Sequence, residues 1–571
     1  MKIALSAPSG MAPAAGARNL PDNFAQTAVN CHLASGEWRP WGSPSSSVAT
    51  AGSSNGSTIY RFGQDEAGDT QYWFTYAAVR DLCRVPVAGD GYETTIITGG
   101  SYPEIARNDI SLTAAPYPSD TYKLAIGSPT TAIGSATVGG TATPNTSAED
   151  RYYIYTFVTS WGEESAPSPA VGPASTKPGQ YVDLATIPVA PSGGFVDRGN
   201  VTHKRIYRTN TGSTSTEYQY VDQIAIATTT YHDVIADGDL GEICATLDYD
   251  DPDANMHSVV GLTNGNVAGL VGNEVCFCEP YRPWAWPEKY RTAFDFKPIG
   301  QAAFGGYLVV CTNGDPYIGY ATTPEAYTFE RLRVAQGCVS KRSIVSTGDG
   351  VIYASPDGLV AVASGAAPVI TEQFMDRAQW QLLNPSTIVG CFTEGRYHGW
   401  YSGASAPYSA WTGFILDLKA KTFTFTDIAA SAVYVDPARD ALYLQQGTAI
   451  KKWNAGSAAT ATWKSKKFET PKPLNFGAAQ VIVTSGSVDL NVYAELGSNA
   501  EAIAVAATLP AMITVVGSTA VIKIAKTGIT TAEPFRLPSD FMARTWEIEL
   551  TGTGYASQII VAQTMAELKD V

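Results

Sequence analysis

AVYVDPARDALYLQQGTAIKKW, residues 432–453, sets two runs of β-branched and aromatic residues on either side of Pro-Ala-Arg-Asp. That pattern reads as a hairpin, because Pro presets φ for a turn and Asp hydrogen-bonds its own backbone there. The same unit recurs upstream in NVAGLVGNEVCFCE (266–279), GGYLVVCTNGDPYIGYA (305–321), GVIYASPDGLVAVAS (350–364) and GFILDLKAKTFTFTD (413–427). Gly-Asn, Asn-Gly-Asp and Pro-Asp-Gly mark bends among them. Five such units, roughly 30 to 60 residues apart, read as blades of a β-propeller. A matching hairpin pair stands earlier, in STIYRFGQDEAGDTQYWFTYAAVRDLCRVP (57–86).

Between these lies a different rhythm. YYIYTFV (152–158), YVDLATI (181–187), KRIYRT (204–209), EYQYVDQI (217–224) and TTTYHDV (228–234) are short strands separated by Gly, Ser, Thr, Asn and Pro. That spacing fits a β-sandwich of the fibronectin or immunoglobulin type, entered through SPTTAIGSATVGGTATPNTSAED (128–150). After Pro471 and Pro473, the runs AQVIVTSGSVDLNVYAEL, ITVVGSTAVIKIA and RTWEIELTG read as a C-terminal sandwich. The expected organisation is therefore mainly β. Residues 1–124 are an N-terminal segment with the first part of a propeller, 125–248 the inserted sandwich, 249–470 the rest of the propeller and 471–571 the C-terminal sandwich. Helices are expected to be few, with one over 372–383 after Thr371 as N-cap and a short one over 22–30.

Composition agrees with this turn-rich reading. The 571 residues include 53 Gly and 34 Pro, and only 16% are charged, which disfavours long helices. The formal net charge of −15 excludes a cationic sheath for nucleic acid and favours solubility or a wall that repels polyanions. The opening MKIALSAPSG has too short an apolar core for a secretory signal, and AIAVAATLPAMITVV (502–516) is too short and broken for a membrane span. The eight cysteines form no C-x-x-C pair, and Cys276 and Cys278 in VCFCEP would share one strand face, so buried free thiols are expected.

Phosphate-loop and zinc-helix signatures are missing from the sequence: no GxxxxGK[ST] and no HExxH occurs. His398 in EGRYHGWYSG reads as a packed strand histidine. Asp251, Asp253 and Asn255 in DYDDPDANM have the spacing of a calcium loop, but Met256 replaces its turn Gly and Leu262 its closing Glu. DGDLGE (237–242) is equally incomplete, and both read as solvated turns. SPDGLVAV (355–362) is a poor match to the sialidase Asp-box, with Gly358 one place early and no Trp following. No catalytic residue, cofactor or metal is expected. Lys451–Lys452, Arg331 with Arg333, Lys341–Arg342 and Lys464, Lys466 and Lys467 read as solvent-facing strand positions that blunt sheet edges, or as contacts to acidic neighbours in a ring. EPYRPWAWPEKY (279–290) makes either a rigid packed loop or a partner-binding tip, with Tyr281, Arg282, Trp284, Trp286 and Tyr290 as the candidate contact residues.

ARNLPDNFAQTAVNCHLASGEWRP (17–40), YIYTFVTSWGEESAPSP (153–169), KRIYRTNTG (204–212), NMHSVVGLTNGNVAGLVGNEVCFCEPYRPWAWPEKY (255–290), WKSKKFETPKPLNFGAAQV (463–481) and RTWEIEL (544–550) occur in that order. Together they resemble the tail nozzle (tail tubular protein B-like) family of short-tailed bacteriophages and related prophage virion proteins. The chain is shorter than the long nozzles of that family, which implies missing accessory loops or a missing distal domain. The resemblance implies a structural virion protein of the phage tail, assembled in the bacterial cytoplasm, with no reaction of its own. Six copies would form a ring below the portal and the tail adaptor ring, gating and conducting double-stranded genomic DNA without sequence-specific binding. Tail fibres or spikes and the host envelope are further implied contacts. Two other readings stand beside it: a tailspike-like glycan hydrolase, and a receptor- or glycan-binding tail adhesin using Trp284, Trp286, Trp400 and Trp411 as stacking platforms.

Overall fold

A computed structural model describes every residue except 64–71, 190–197, 212–215, 322, 324–325, 509–512, 539 and 569–571. The chain is mainly β. Among the described residues its named strands pair antiparallel, except where Ala25–Val29 lies parallel to Thr422–Thr426. It folds as two units. One comprises Met1–Ala78, Asn313–Pro316 and Leu332–Val571; the other comprises Val79–Thr312 and Tyr317–Arg331.

In the first unit an eleven-stranded sheet begins with Val389–Thr393, Arg396–Trp400, Gly413–Asp417 and Thr422–Thr426. It continues through Ala25–Val29 and Ala461–Ser465 to Ala543–Gly552, Val488–Glu495, Val521–Ile529 and Ile513–Val515. Strand Phe468–Leu474, which runs across position 470/471, also pairs with Ala543–Gly552. Alternation decides which way these strands face. Trp546, Ile548 and Leu550 fall two apart and are all buried, as are Leu490, Val492 and Ala494. They share one core with Ile3, Leu5, Ala479, Val481 and Ile559 of a second sheet, ordered Lys2–Ser6, Tyr555–Ala562, Ala478–Ser485 and Phe535–Arg536. Full burial of each such large apolar side chain contributes about 1.5–3 kcal/mol.

The same unit carries smaller sheets. Val345–Ser346, Val351–Ala354 and Leu359–Val362 form one; Thr58–Phe62 with Tyr72–Tyr76 forms another, the intervening 64–71 lying outside the described residues. A four-stranded sheet joins Ser47–Thr50 to the edge of Ala449–Lys452, Ala441–Gln446 and Ala432–Asp436.

Among the described residues the second unit has four four-stranded sheets, three of them outside its insertion. The first is Asp81–Arg84, Thr95–Thr98, Glu104–Ala106 and Tyr122–Lys123; the second is His257–Gly261, Val267–Val271, Glu274–Phe277 and Arg291–Ala293. The third is Pro298–Phe304, Tyr307–Thr312, Tyr317–Tyr320 and Thr328–Arg331. Inserted in this unit are a three-stranded sheet, Ser135–Gly140, Gln180–Ala185 and Thr230–Asp233, and a four-stranded one. The latter runs Val171–Thr176, Glu149–Thr159, Val201–Thr211 and Thr216–Ala225. Tyr153, Tyr155, Phe157, Val182, Leu184 and Ile206 from both sheets form a common core.

Two helix expectations are corrected. Residues 22–30 contain the strand Ala25–Val29, because Ala28 and Val29 pair with Trp463 and Thr462 and the sheet outweighs the local preference. The helix expected over 372–383 is only Arg377–Gln381. Thr371 does not cap it: its hydroxyl oxygen accepts from the Leu359 amide at 3.0 Å. Asp376 is the N-cap, in a capping box with Gln379.

Candidate ligand-binding cleft

The cleft grows out of the SWGEES run, residues 160–165. Strand Glu149–Thr159 ends there in a tight return, with Gly162 N–H donating to Thr159 O at 3.0 Å and Thr159 N–H to Glu163 O at 2.9 Å. Adjacent extended residues point to opposite faces, and the two glutamates separate accordingly. Glu163 pairs with buried Arg198 and accepts from Thr159 Oγ1 at 3.1 Å. Glu164 turns the other way. Its Oε1 accepts from Thr156 Oγ1 and from the Tyr207 hydroxyl, both at 2.6 Å, and its Oε2 accepts from Arg205 Nη1 at 2.6 Å.

Strand Val201–Thr211 supplies the floor by the same alternation. Ile206 and Arg208 face the common core, while Arg205 and Tyr207 face the cleft. Arg205 lies opposite Gln223, and its Nε donates to Gln223 Oε1 at 3.0 Å. Tyr207 lies opposite Tyr220, the ring centroids 6.0 Å apart and nearly perpendicular. Burial first, then the Glu164 carboxylate, pushes the Tyr207 phenol far up, so it keeps its proton and donates.

One wall is the segment 241–244, which runs along Thr216–Ala225: Gly241 and Cys244 donate their amides to Tyr220 O and Tyr218 O. A Cβ on Gly241 would sit 2.9 Å from the Tyr220 ring, so only glycine admits that ring here. The opposite wall is the 279–290 loop. Trp284 Nε1 donates to Glu164 O at 3.1 Å, and Arg282 Nη1 donates to the Tyr249 hydroxyl. The enclosed space is about 450 Å³.

The five residues singled out in that loop are thus split. Trp286 is 1% exposed, its Nε1 donating to Pro283 O at 2.7 Å, and Tyr290 is buried with its hydroxyl donating to Glu279 at 3.0 Å. Neither reaches the surface, so neither can serve as a contact residue. Trp284 is half-buried and Arg282 exposed, both lining the cleft. Tyr281, 59% exposed at a φ of 62°, lays its ring over Gly265, where a Cβ would collide with it. The EPYRPWAWPEKY signal located the loop; the cleft needed Glu164 and Arg205, more than a hundred and about eighty residues earlier, which no local motif connects to it.

Other features find structural partners. His398 is buried among Trp41, Trp400 and Trp453, and burial, then the Arg396 charge, lowers its pKa to about 3. Trp400 is likewise buried and cannot be a stacking platform; Trp411 is half-buried against Phe425. Asp251 accepts from the amides of Gly127 and Ser128, Asp253 from that of Asn255, and Asp237 pairs with Arg151 and Arg208. Gly358 of SPDGLVAV is needed because a Cβ there would collide with Thr371 Oγ1, a packing reason. Lys464 and Lys466 pair with Glu547 and Asp22 at 2.6 and 3.1 Å, and Arg342 donates to Ser57 O and Ser431 O. The cysteines are free thiols, Cys83 half-buried and the others buried. Among the described residues no three His, Cys, Asp or Glu side chains gather where they could hold a metal ion, and no helix is long and apolar enough to cross a membrane.

No protein-family model matches the chain, and no curated protein does. Among solved structures it has a distant likeness to PorZ, an essential bacterial surface component of the type-IX secretion system of Porphyromonas gingivalis. The identity is 11%, over 72% of this chain and 70% of that one, with a TM-score of 0.24. At that TM-score the likeness carries no argument about fold or function.

Proposed function

We propose that the chain is a structural subunit of a phage tail nozzle: a ring-forming protein with no reaction of its own, whose copies enclose and gate the channel for outgoing DNA. In this reading the small sheets are blades of a β-propeller, interrupted by the two-sheet insertion and followed by a C-terminal sandwich. The single observation that carries it is the pairing of Ser47–Thr50 with Ala449–Lys452. A strand from the first fifty residues completes the sheet built by the 432–452 hairpins, the way a propeller closes on itself. The packing of first strands supports it: Thr58–Phe62 lies against Ala432–Asp436, and Ala432–Asp436 against Val389–Thr393. In the other unit His257–Gly261 lies between Asp81–Arg84 and Pro298–Phe304.

The in-order resemblance of six segments to nozzle proteins supplies the function. Charge is compatible with it: six copies at −15 carry −90, and any part of that lining a channel lets DNA slide rather than stick. The partners in this reading are five further copies, the adaptor ring above, fibres or spikes at the side and the host envelope below, with the assembled protein located in the virion. Native mass spectrometry, alone and with the adaptor, tests it. A species of six times 60.5 kDa is expected, and a chain that stays monomeric under both conditions contradicts it.

A further inference from the structure

Beyond the ring reading, and not resting on it, we propose that the cleft between the 241–249 and 279–290 segments binds a hexuronate unit of an acidic saccharide. Its volume, about 450 Å³, lies in the range of small-ligand clefts. Trp284 is backed by the insertion's core and held by its bond to Glu164 O, leaving its ring on the cleft wall. Tyr220, half-buried on the other wall, gives a second aromatic surface. Such rings take the C–H face of a sugar while polar groups around them take its hydroxyls.

Charge selects the acid. Glu164 is occupied by three donors and neutralises Arg205. Arg282 is exposed and, among the described residues, has no carboxylate within salt-bridge distance; its guanidinium donates to the Tyr249 hydroxyl, and that ring lies 5.8 Å below it. That contact fixes the plane and leaves N–H groups for a carboxylate, which a guanidinium grips at two points. Gln223 spends its oxygen on Arg205 and keeps its amide N–H groups, and Glu242 on the rim accepts hydroxyls. One unpaired cation beside an acidic rim suits one carboxylate and disfavours a polyanion. The walls are set in advance by buried Trp286 and by the Glu164 network, so little ordering opposes binding.

The test is titration of the full chain with D-galacturonate, D-glucuronate and digalacturonate, with D-glucose and D-galactose as neutral controls, read by tryptophan fluorescence and calorimetry. Saturable binding of a uronate is expected, weakened about ten-fold or more by Arg282→Ala and by loss of the carboxylate. Arg282 is exposed, so R282A should melt with the parent protein; Gln223→Ala is a second variant should it not. Absence of saturable uronate binding at about 20 mM, or binding indifferent to both variants, overturns the proposal. Arg282-dependent binding of a tetraglutamate peptide without uronate binding also overturns it and assigns the cleft to a protein partner.

Discussion

Arg61 Nη1 donates to Asp436 Oδ2 at 2.6 Å, and neither side chain has any exposure to solvent. The pair joins strand Thr58–Phe62 to strand Ala432–Asp436, 375 positions apart in sequence. A second cation, Arg439, stands 3.4 Å from the same carboxylate oxygen. In the propeller reading this contact ties the opening of the fold to its last blade.

Removing one member of such a pair strands a buried charge, whereas removing both removes the desolvation cost as well. Asp436→Ala should cost about 3–5 kcal/mol, and the double change Arg61→Met with Asp436→Leu much less. Denaturant unfolding followed by tryptophan fluorescence distinguishes them. Equal losses in the single and double variants would mean that packing, not charge, is what the site supplies.

Lys204 gives stability a pH dependence. It is buried, its Nζ donating to Pro188 O at 2.9 Å and to Thr228 O at 2.5 Å, with no carboxylate in salt-bridge range among the described residues, and burial lowers its pKa to about 8. Between about 8 and the ordinary lysine value the unfolded chain holds a proton that the folded one has lost. Stability therefore rises with pH through that window, and below it a buried cation weakens the fold. Lys204→Met should flatten the rise when melting temperature is followed from pH 7 to 10. An unchanged profile would show that Lys204 reaches water.

His398 acts in the acid range with the same sign. Folded it stays neutral down to about 3, while the unfolded imidazole takes a proton below its usual value. Stability is lost as pH falls through that interval, and His398→Phe should reduce the loss. NMR of the C2 proton checks it directly: a His398 resonance titrating near 6.5 would contradict the buried site.

The thiols should be inert in the native state. Burial pushes Cys31, Cys83, Cys278 and Cys338 up to about 12 and Cys276 to about 11. Thiolate is the reacting species, so Ellman's reagent at pH 8 should label native protein slowly and all eight cysteines after denaturation. Rapid stoichiometric labelling would place a thiol at the surface.

The inserted pair of sheets should fold alone. Its core draws on Ile126, Ile133, Tyr153, Phe157, Leu184 and Ile206, and its buried Arg208–Asp233 pair at 2.6 Å lies within it. A fragment of residues 125–248 should give a dispersed NMR spectrum. A collapsed spectrum would show that Trp284, which packs on that core from outside the fragment, is indispensable.

Hairpins were legible because their information is local. Each of the five quoted units forms an antiparallel pair, as in Tyr307↔Tyr320 and Val351↔Val362, with turn residues adjacent in sequence. The long sheet was not legible, because Ala28↔Trp463 and Trp463↔Leu550 depend on partners far along the chain that no local pattern names. The same holds for the cleft. Trp284 and Arg282 stood out by composition, but Glu164 looked like any acidic turn residue until the fold set Tyr207 and Arg205 against it. Asp376 was legible in principle, since Asp followed by Gln three positions later before Trp380 is the capping-box spacing.

Electron microscopy of the purified chain, alone and mixed with its candidate adaptor ring, tests whether it forms the proposed DNA-conducting ring. Six-fold rings with a central hole are expected, alone or on the adaptor. Compact monomers that ignore the adaptor, or trimers with a groove, would contradict it and turn attention to the spike and adhesin readings.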